Sequence, residues 1–451
     1  MKISKKDLVE TFDSNFIQVL KKVYITREVI NKTALSESIH DLLSENNYSP
    51  SIPKFIIDYD KGKGVSRPVP VFNPIDYGVF YYCIKQLEEN IALNRVEGTF
   101  GGWSLGGKIR HLESQESSIE DIDYPMTTSL TPEAWARYYG DFNSKIVEYA
   151  RSLPSGDYVA VELDIANFYD TIRLDILESK IRLVSKKEKS TVINLLFHFL
   201  KNSNKQIYSF NAQSTGIPQD MIADCSRLLA NFYLQDYDLA LKEYADRHMI
   251  KYLRYADDQI LFIPKGVNYK EVVKYCSNSL YKIGLNINQK KVEKFELDDL
   301  LRYRSISAFE ILDPELPNRA QPVAVAIEFA QESVRLIMSD EELKNNGASL
   351  LRKVIAIGLD KLPHDLMMQI FSLAISEEYL PFLDHIKLSQ IYQALNDEGK
   401  LVLLAALERE AQLTTQSAFF YECHKFSNRH GLGLAYFKKK IKEYNKTWTT
   451  A

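Results

Sequence analysis

The sequence predicts an α+β protein that runs on into an all-α unit, and three observations carry that expectation. Between residues 156 and 311 short apolar runs alternate with helical patterns, two of the runs read as a hairpin, and beyond residue 312 only helical periodicity remains. At 451 residues the chain is longer than one ordinary core supports, so two or more packed units are expected. Hydrophobic residues at 45% and charged residues at 26% exclude a largely disordered chain. A net charge of −4 means that any nucleic-acid surface has to be a local basic groove. Cys83, Cys225, Cys276 and Cys423 are far apart, without CxxC or a nearby histidine pair, which argues against a zinc site and a disulfide framework. The start, MKISKKDLVETFDSNF, lacks the apolar core of a secretion signal, and no run of about 18 apolar residues follows. The expected setting is cytoplasmic, with no membrane contact.

In chain order, residues 1–50 read as an N-terminal helical cap, two short helices broken near Asn31 and Thr33. Residues 51–155 begin with SPSIPKFIIDYDKGKGVSRPVPVFNP, whose prolines, glycines and β-branched residues predict short strands joined by basic turns. A helix from Tyr77 to Ala92 leads into the glycine-rich run TFGGWSLGGKIR, and an acidic, aperiodic stretch near 111–140 reads as a surface insertion. In residues 156–311, Tyr158 to Leu163 is a strand, IRLDILESKI and NLLFHFL are helical, and Met221 to Tyr244 carries a 3.6-residue apolar period. KYLRYA and QILFIP then form a β-hairpin with Asp257 and Asp258 at its tip, followed by a helix around Val272 to Ile283 and a strand near Val292 to Phe295. This order predicts helices on one face of an antiparallel sheet. Residues 312–451 supply six or seven helices of similar length, which permits a helical-repeat array, although no fixed period is present.

Asp164 ends an apolar strand, and Asp257 and Asp258 lie in a hairpin turn 93 residues later. Carboxylates on the ends of adjacent strands converge. Phosphoryl transfer asks for cations about 3.5–4 Å apart, and magnesium is bound through a few carboxylates plus substrate phosphates. The competing explanation for an isolated Asp-Asp pair is ordinary solvated turn chemistry.

The neighbouring text decides between them. YADD at Tyr255 to Asp258, preceded by LR and followed by ILF after Gln259, resembles the catalytic hairpin of reverse transcriptases. DIANFYD at Asp164 to Asp170 resembles their first palm motif, TGIPQD at Thr215 to Asp220 the motif opening the long palm helix, and GLNINQKKVEKF from Gly284 the lysine-containing motif after the hairpin. RPVPVFNP at Arg67 to Pro74 and TFGGWSLGGKIR at Thr99 to Arg110 resemble the fingers motifs. The resemblance runs from about Ser51 to Phe295 in the family's order, and implies a right-hand polymerase with fingers (51–155), palm (156–311) and a helical unit (312–451) in place of a thumb.

By that resemblance Asp164, Asp257 and Asp258 hold Mg2+ or Mn2+, with the Ile165 carbonyl an additional ligand. Tyr169 lies under the incoming sugar, where a bulky ring disfavours a 2′-hydroxyl; the alternative is a core aromatic beside Phe168. Gln219 packs near the nascent pair, or is simply a polar residue at a helix start. Arg67, Lys108 and Arg110 are candidates for the triphosphate, with Lys108 and Arg110 undecided between them and a solvated charge the alternative for each. Lys291, beside Lys290, protonates or stabilises the leaving pyrophosphate, or belongs to a solvated charge run. One departure stands out: Asp220 occupies a position where many family members carry glycine, which puts ordinary template handling in doubt.

Among reverse transcriptases the chain has no room for retroviral protease, ribonuclease H or integrase segments, shows no nuclease-like Cys/His cluster, and lacks the Val-Thr-Gly triplet of retron enzymes. LEENIALNRVEGTFGGWSLGG looks most like the bacterial defence-associated enzymes of the abortive-infection group. That resemblance implies DNA synthesis from dNTPs with or without an RNA template, homo-oligomerisation, and in some relatives priming on a tyrosine of the same chain. Neither Tyr24 nor Tyr48 is singled out by its context. Two rivals remain: a group II intron-type enzyme, and a catalytically silent nucleic-acid-binding scaffold. Against the scaffold, unpaired buried acids are costly to retain without metals or partners.

Overall fold

The structure, a computed structural model, describes every residue except 1–2, 13–15, 18–19, 22–29, 61–64, 93–95, 102–104, 106–131, 204–215, 220–223, 314–315, 340–346, 415, 434 and 451. The chain opens with helices α1 (Lys5–Thr11) and α2 (Lys32–Ser44), strands β1 (Phe55–Asp60) and β2 (Ser66–Val71), helix α3 (Pro74–Ile91) and strand β3 (Thr99–Phe100). Next come α4 (Pro132–Ser152), β4 (Tyr158–Asp164), α5 (Phe168–Thr171), α6 (Leu174–Val184), α7 (Ser190–Asn202) and α8 (Asp224–Arg247). The hairpin β5 (Lys251–Tyr255) and β6 (Asp258–Pro264), helix α9 (Tyr269–Lys282) and strand β7 (Glu293–Phe295) complete the mixed region. Helices follow: α10 (Leu297–Tyr303), α11 (Ile306–Phe309), α12 (Val323–Met338), α13 (Gly347–Ile357), α14 (His364–Ala374), α15 (His385–Ala394), α16 (Asp397–Leu413), α17 (Ser417–His430) and α18 (Ala435–Thr450). Two compact units emerge, one of residues 1–55 and 69–297, the other of residues 56–68 and 298–451.

In the first unit the break expected near Asn31 is a helix start. The Asn31 side chain accepts from the backbone N–H groups of Thr33 and Ala34 and caps α2. Helix α3 starts the same way, with Asn73 accepting from Asp76 N–H and Pro74 at its first turn. Buried Asp76 then accepts from Tyr48 Oη at 2.9 Å and from Ser51 N–H at 3.1 Å. Tyr48 is thereby a structural partner of α3, its hydroxyl pushed well above its usual pKa by burial and by Asp76; Tyr24 lies outside the described residues.

The five-stranded sheet has the order β3-β5-β6-β4-β7. Its pairs are antiparallel except β3 with β5, a parallel edge. The one-face expectation is corrected: helices cover both faces. Tyr237 on α8 donates to Gln259, whereas Tyr149 on α4 packs edge-on against Phe262, and residues three apart on a strand point to opposite sides. That is why VELD and ILFI are buried at consecutive positions, as in sheets covered twice. The insertion expected near 111–140 is helical from Pro132 onward, and residues 106–131 lie outside the described part.

The second unit holds the C-terminal helices together with residues 56–68 of the β1–β2 pair. Asp58 N–H donates to Ser417 Oγ at 2.8 Å and Ser66 Oγ to Gln416 at 3.2 Å, which ties the pair to the start of α17. The sequence reading passed over α17 because SAFFYECHKFSNRH is buried at nine positions that include Ser417, His424 and Ser427, so polar residues on its buried face blur the apolar period that betrays an amphipathic helix. Glu422 on α17 accepts from His385 N–H at 2.9 Å and His385 Nδ1 at 2.6 Å, capping α15, and from Lys425 at 3.1 Å.

Burial alone would raise the Glu422 carboxyl, but the His385 and Lys425 interactions outweigh it and pull it down from 4.5 to about 2. The folded value lies below the unfolded one, so this stabilisation, about 3 kcal/mol, is complete above pH 4.5 and lost as pH falls towards 2. Glu422→Gln is expected to lower the stability of this unit by about 2–3 kcal/mol at pH 7 and to flatten its acid unfolding below pH 4.5, as read by urea denaturation across pH.

Candidate active site

The site is built where β4 ends and β6 begins. Seven residue pairs align β4 with β6, from Tyr158 opposite Pro264 to Asp164 opposite Asp258. Tyr255 pairs with Asp258 across the hairpin, leaving Ala256 and Asp257 as a two-residue turn. Ala256 has φ +51°, uncommon for a residue with a side chain. Its carbonyl accepts from Arg254 Nη1 at 3.0 Å, and Ile165 N–H donates to the Asp257 carbonyl at 3.3 Å. The hairpin tip is thus tied both to its own strand and to the end of β4.

On the other side of Asp164 runs the segment after Gly284. Ile165 forms a bridge with Ile287, and Asn288 N–H donates to the Asp164 carbonyl at 2.8 Å. The Asp164 carboxylate is held at both oxygens, Oδ2 by Asn288 Nδ2 at 3.1 Å and Oδ1 by Lys291 Nζ at 2.7 Å. The ammonium itself is largely exposed, while Asp164 is buried.

Half-buried Asp257 is pushed up to about 6, by burial first and then by the charges of Asp258 and Asp164. Lys291 moves the opposite way from what burial alone would do: its bond to Asp164, with the charges of Asp258 and Asp257, raises it. Three carboxylates therefore share one field, and a cation placed among them relieves the repulsion. Hard oxygen donors of this kind suit magnesium or manganese. Among the described residues no group of three or more His, Cys, Asp or Glu side chains is drawn together closely enough to hold a metal ion by itself, and both Asp164 oxygens are occupied, by Asn288 and Lys291.

Of the other residues singled out by sequence, Tyr169 is half-buried, its ring centroid 5.3 Å from that of buried Phe168. Its carbonyl accepts from Ile217 N–H at 2.9 Å, which fixes the GIPQ segment against α5. Gly216 permits this approach: at φ +68°, a Cβ there would lie 2.3 Å from the Tyr169 carbonyl oxygen. Gln219 is half-buried in the segment that precedes α8. Arg67 is exposed on β2, in the second unit. Lys108, Arg110 and Asp220 lie outside the described residues.

Four residues were missed. Arg254, Asp238 and Asn231 form a buried network behind the hairpin, and Asn288 grips Asp164. Arg254 and Asn288 stand inside the quoted motifs, but nothing in one sequence pairs Arg254 with an aspartate 16 residues earlier on another element.

The family reverse transcriptase (RNA-dependent DNA polymerase) matches residues 113–334, just under half of the chain. The chain carries a reverse transcriptase domain. This is the domain of RNA-directed DNA polymerases, and here it takes in DIANFYD, TGIPQD, YADD and Lys291. The match begins downstream of RPVPVFNP and TFGGWSLGGKIR and ends within α12. No curated protein matches the chain. Among solved structures it is similar to the apo telomerase of Candida tropicalis truncated from its C-terminal domain, at TM-score 0.31 and 13% identity over 60% of this chain and 57% of that one. It is also similar to the telomerase of Candida albicans in complex with a TWJ fragment of telomeric RNA, at TM-score 0.34 and 10% identity over 90% of this chain and 70% of that one. The chain thus spans a little over half the length of the first and about two thirds of the second.

The reverse transcriptase domain makes two predictions about its own carboxylates and loop. The Asp257 value lies above the ordinary 3.8, so its charge destabilises the fold above about pH 6 and this penalty disappears as pH falls below 3.8. Asp257→Asn is expected to raise the stability of metal-free protein by ~1–3 kcal/mol at pH 7 and by nothing near pH 3.5, in thermal unfolding at the two pH values. Gly216→Ala should destabilise the first unit by about 2 kcal/mol or more, read by urea denaturation, because both its φ and the Tyr169 carbonyl oppose a methyl group.

Proposed function

We propose that this chain is a reverse-transcriptase-type DNA polymerase that adds deoxynucleotides to a growing 3′ end. The observation that carries the reading is the β4–β6 register, which sets Asp164 opposite Asp258 with Asp257 in the adjoining turn, inside a reverse transcriptase domain. Asp164, Asp257 and Asp258, with the Ile165 carbonyl, would hold Mg2+ or Mn2+; when bound, such ions neutralise the triphosphate and the attacking and leaving oxygens. Asn288 keeps Asp164 oriented through its second oxygen. Lys291 passes from Asp164 to the leaving pyrophosphate as the substrate binds, delivering a proton or a positive charge. Tyr169 disfavours a 2′-hydroxyl, Gln219 packs beside the nascent pair, and Arg67, Lys108 and Arg110 receive the triphosphate.

In this reading residues 51–155 are the fingers, 156–311 the palm, and 312–451 a helical unit in the place of a thumb. The cellular role is antiphage defence of the abortive-infection kind, by a cytoplasmic homo-oligomer whose synthesis starts on a tyrosine of its own and proceeds without a fixed template. The motif text supports it, as does the helical character of residues 298–451.

Purified protein supplied with dNTPs and Mg2+ is expected to make acid-insoluble DNA, and Asp257→Asn or Asp258→Asn to reduce the rate about a hundredfold or more. Tyr169→Ala should admit ribonucleotides. Absence of incorporation by the unaltered protein under any nucleic-acid supplement would reject the polymerase. Unaltered phage plating on cells expressing the active form would reject the defence role alone.

A further inference from the structure

The hairpin that carries two of the three carboxylates rests on a charged pair with no access to solvent. Arg254 and Asp238 are each 0% exposed. Arg254 Nε and Nη2 donate to the two Asp238 oxygens at 2.8 and 2.6 Å, and Tyr252 Oη adds a third bond to that carboxylate at 2.7 Å. The remaining arm, Nη1, donates at 3.0 Å to Asn231 Oδ1 and at 3.0 Å to the Ala256 carbonyl. A planar guanidinium bound at this many points has one orientation.

Holding β5 to α8 does not require this. Well-packed apolar residues do the same without the desolvation of two charges, and replacing buried pairs with them is often neutral or stabilising. What an apolar pair cannot supply is a donor aimed at the turn. Ala256 sits at φ +51°, a conformation that opposes its side chain, and the next carbonyl, of Asp257, is held from the other side by Ile165 N–H. The Asp257 backbone is therefore fixed from both sides, and one of the two fixings reaches it through Arg254.

We propose that Arg254, locked by Asp238 and Asn231, is a positioning residue that holds the Ala256 carbonyl and so presents Asp257 beside Asp164 and Asp258 for cation binding. The inference rests on the reading of those carboxylates as cation ligands. Lysine at 254 keeps the charge facing Asp238 but cannot reach Asn231 and Ala256 as well. Glycine at 256 takes the positive φ without strain, so the turn no longer depends on the clamp.

The test is Mn2+ binding to the full chain by electron paramagnetic resonance, with urea denaturation alongside. Arg254→Lys is expected to weaken Mn2+ binding ~10-fold, in the range usual for groups that orient metal ligands. Adding Ala256→Gly to that variant should recover most of the loss. A structural role alone would shift the urea midpoint and leave Mn2+ affinity unchanged, or would give a loss that Ala256→Gly does not repair; either result overturns the proposal. Should Arg254→Lys fail to fold, Asn231→Ala leaves the ion pair in place and must weaken Mn2+ binding in the same direction, and unaltered affinity there overturns it equally. If the unaltered protein itself binds no Mn2+, the reading of the carboxylates fails, which is distinguishable from failure of the clamp.

Discussion

Everything at the site depends on the antiparallel register of β4 and β6. With Asp164 opposite Asp258, two carboxylates face the same side of the sheet at the ends of two neighbouring inner strands. A slip of one residue would turn the whole of β4 over, exchanging the covered positions of Val159, Val161 and Leu163 with those of Ala160, Glu162 and Asp164, whose size and polarity do not match. The apolar content of the strands therefore enforces the alignment of the acids, and the site inherits its geometry from packing that α4 and α8 complete from both faces.

The electrostatic consequence is a fold that works against itself in one place. Asp257 carries a raised pKa because it is half-buried beside two other carboxylates, a cost that a stable scaffold has no reason to keep. Lys291 offsets part of it through Asp164. The same bond sets a positive charge against the Asp164 carboxylate.

Much of the reverse transcriptase domain was legible in the residues. YADD at a hairpin tip and Asp164 at a strand end follow from alternation, turn chemistry and the position of the acids, and the strands stand within a residue or two of where the text suggested. What escaped was of two kinds. Helix α17 escaped because buried Ser417, His424 and Ser427 interrupt its apolar period, and the double cover of the sheet because burial on both faces erases the alternation of a half-exposed strand. The Arg254 network escaped because its partners come from α8 and its meaning from φ at Ala256, neither of which a local pattern records. The attachment of residues 56–68 to the helical unit is of the same kind, resting on bonds to Gln416 and Ser417 some 350 residues away.

The most direct test is where a divalent ion sits. Crystals of the protein grown with Mn2+ and a non-hydrolysable dNTP, measured at the manganese absorption edge, are expected to show anomalous density bound by Asp164 together with Asp257 or Asp258, and Lys291 moved off Asp164. A map with no peak between β4 and the hairpin, or with manganese bound only elsewhere on the molecule, would contradict that expectation and remove the chemical basis for polymerase activity.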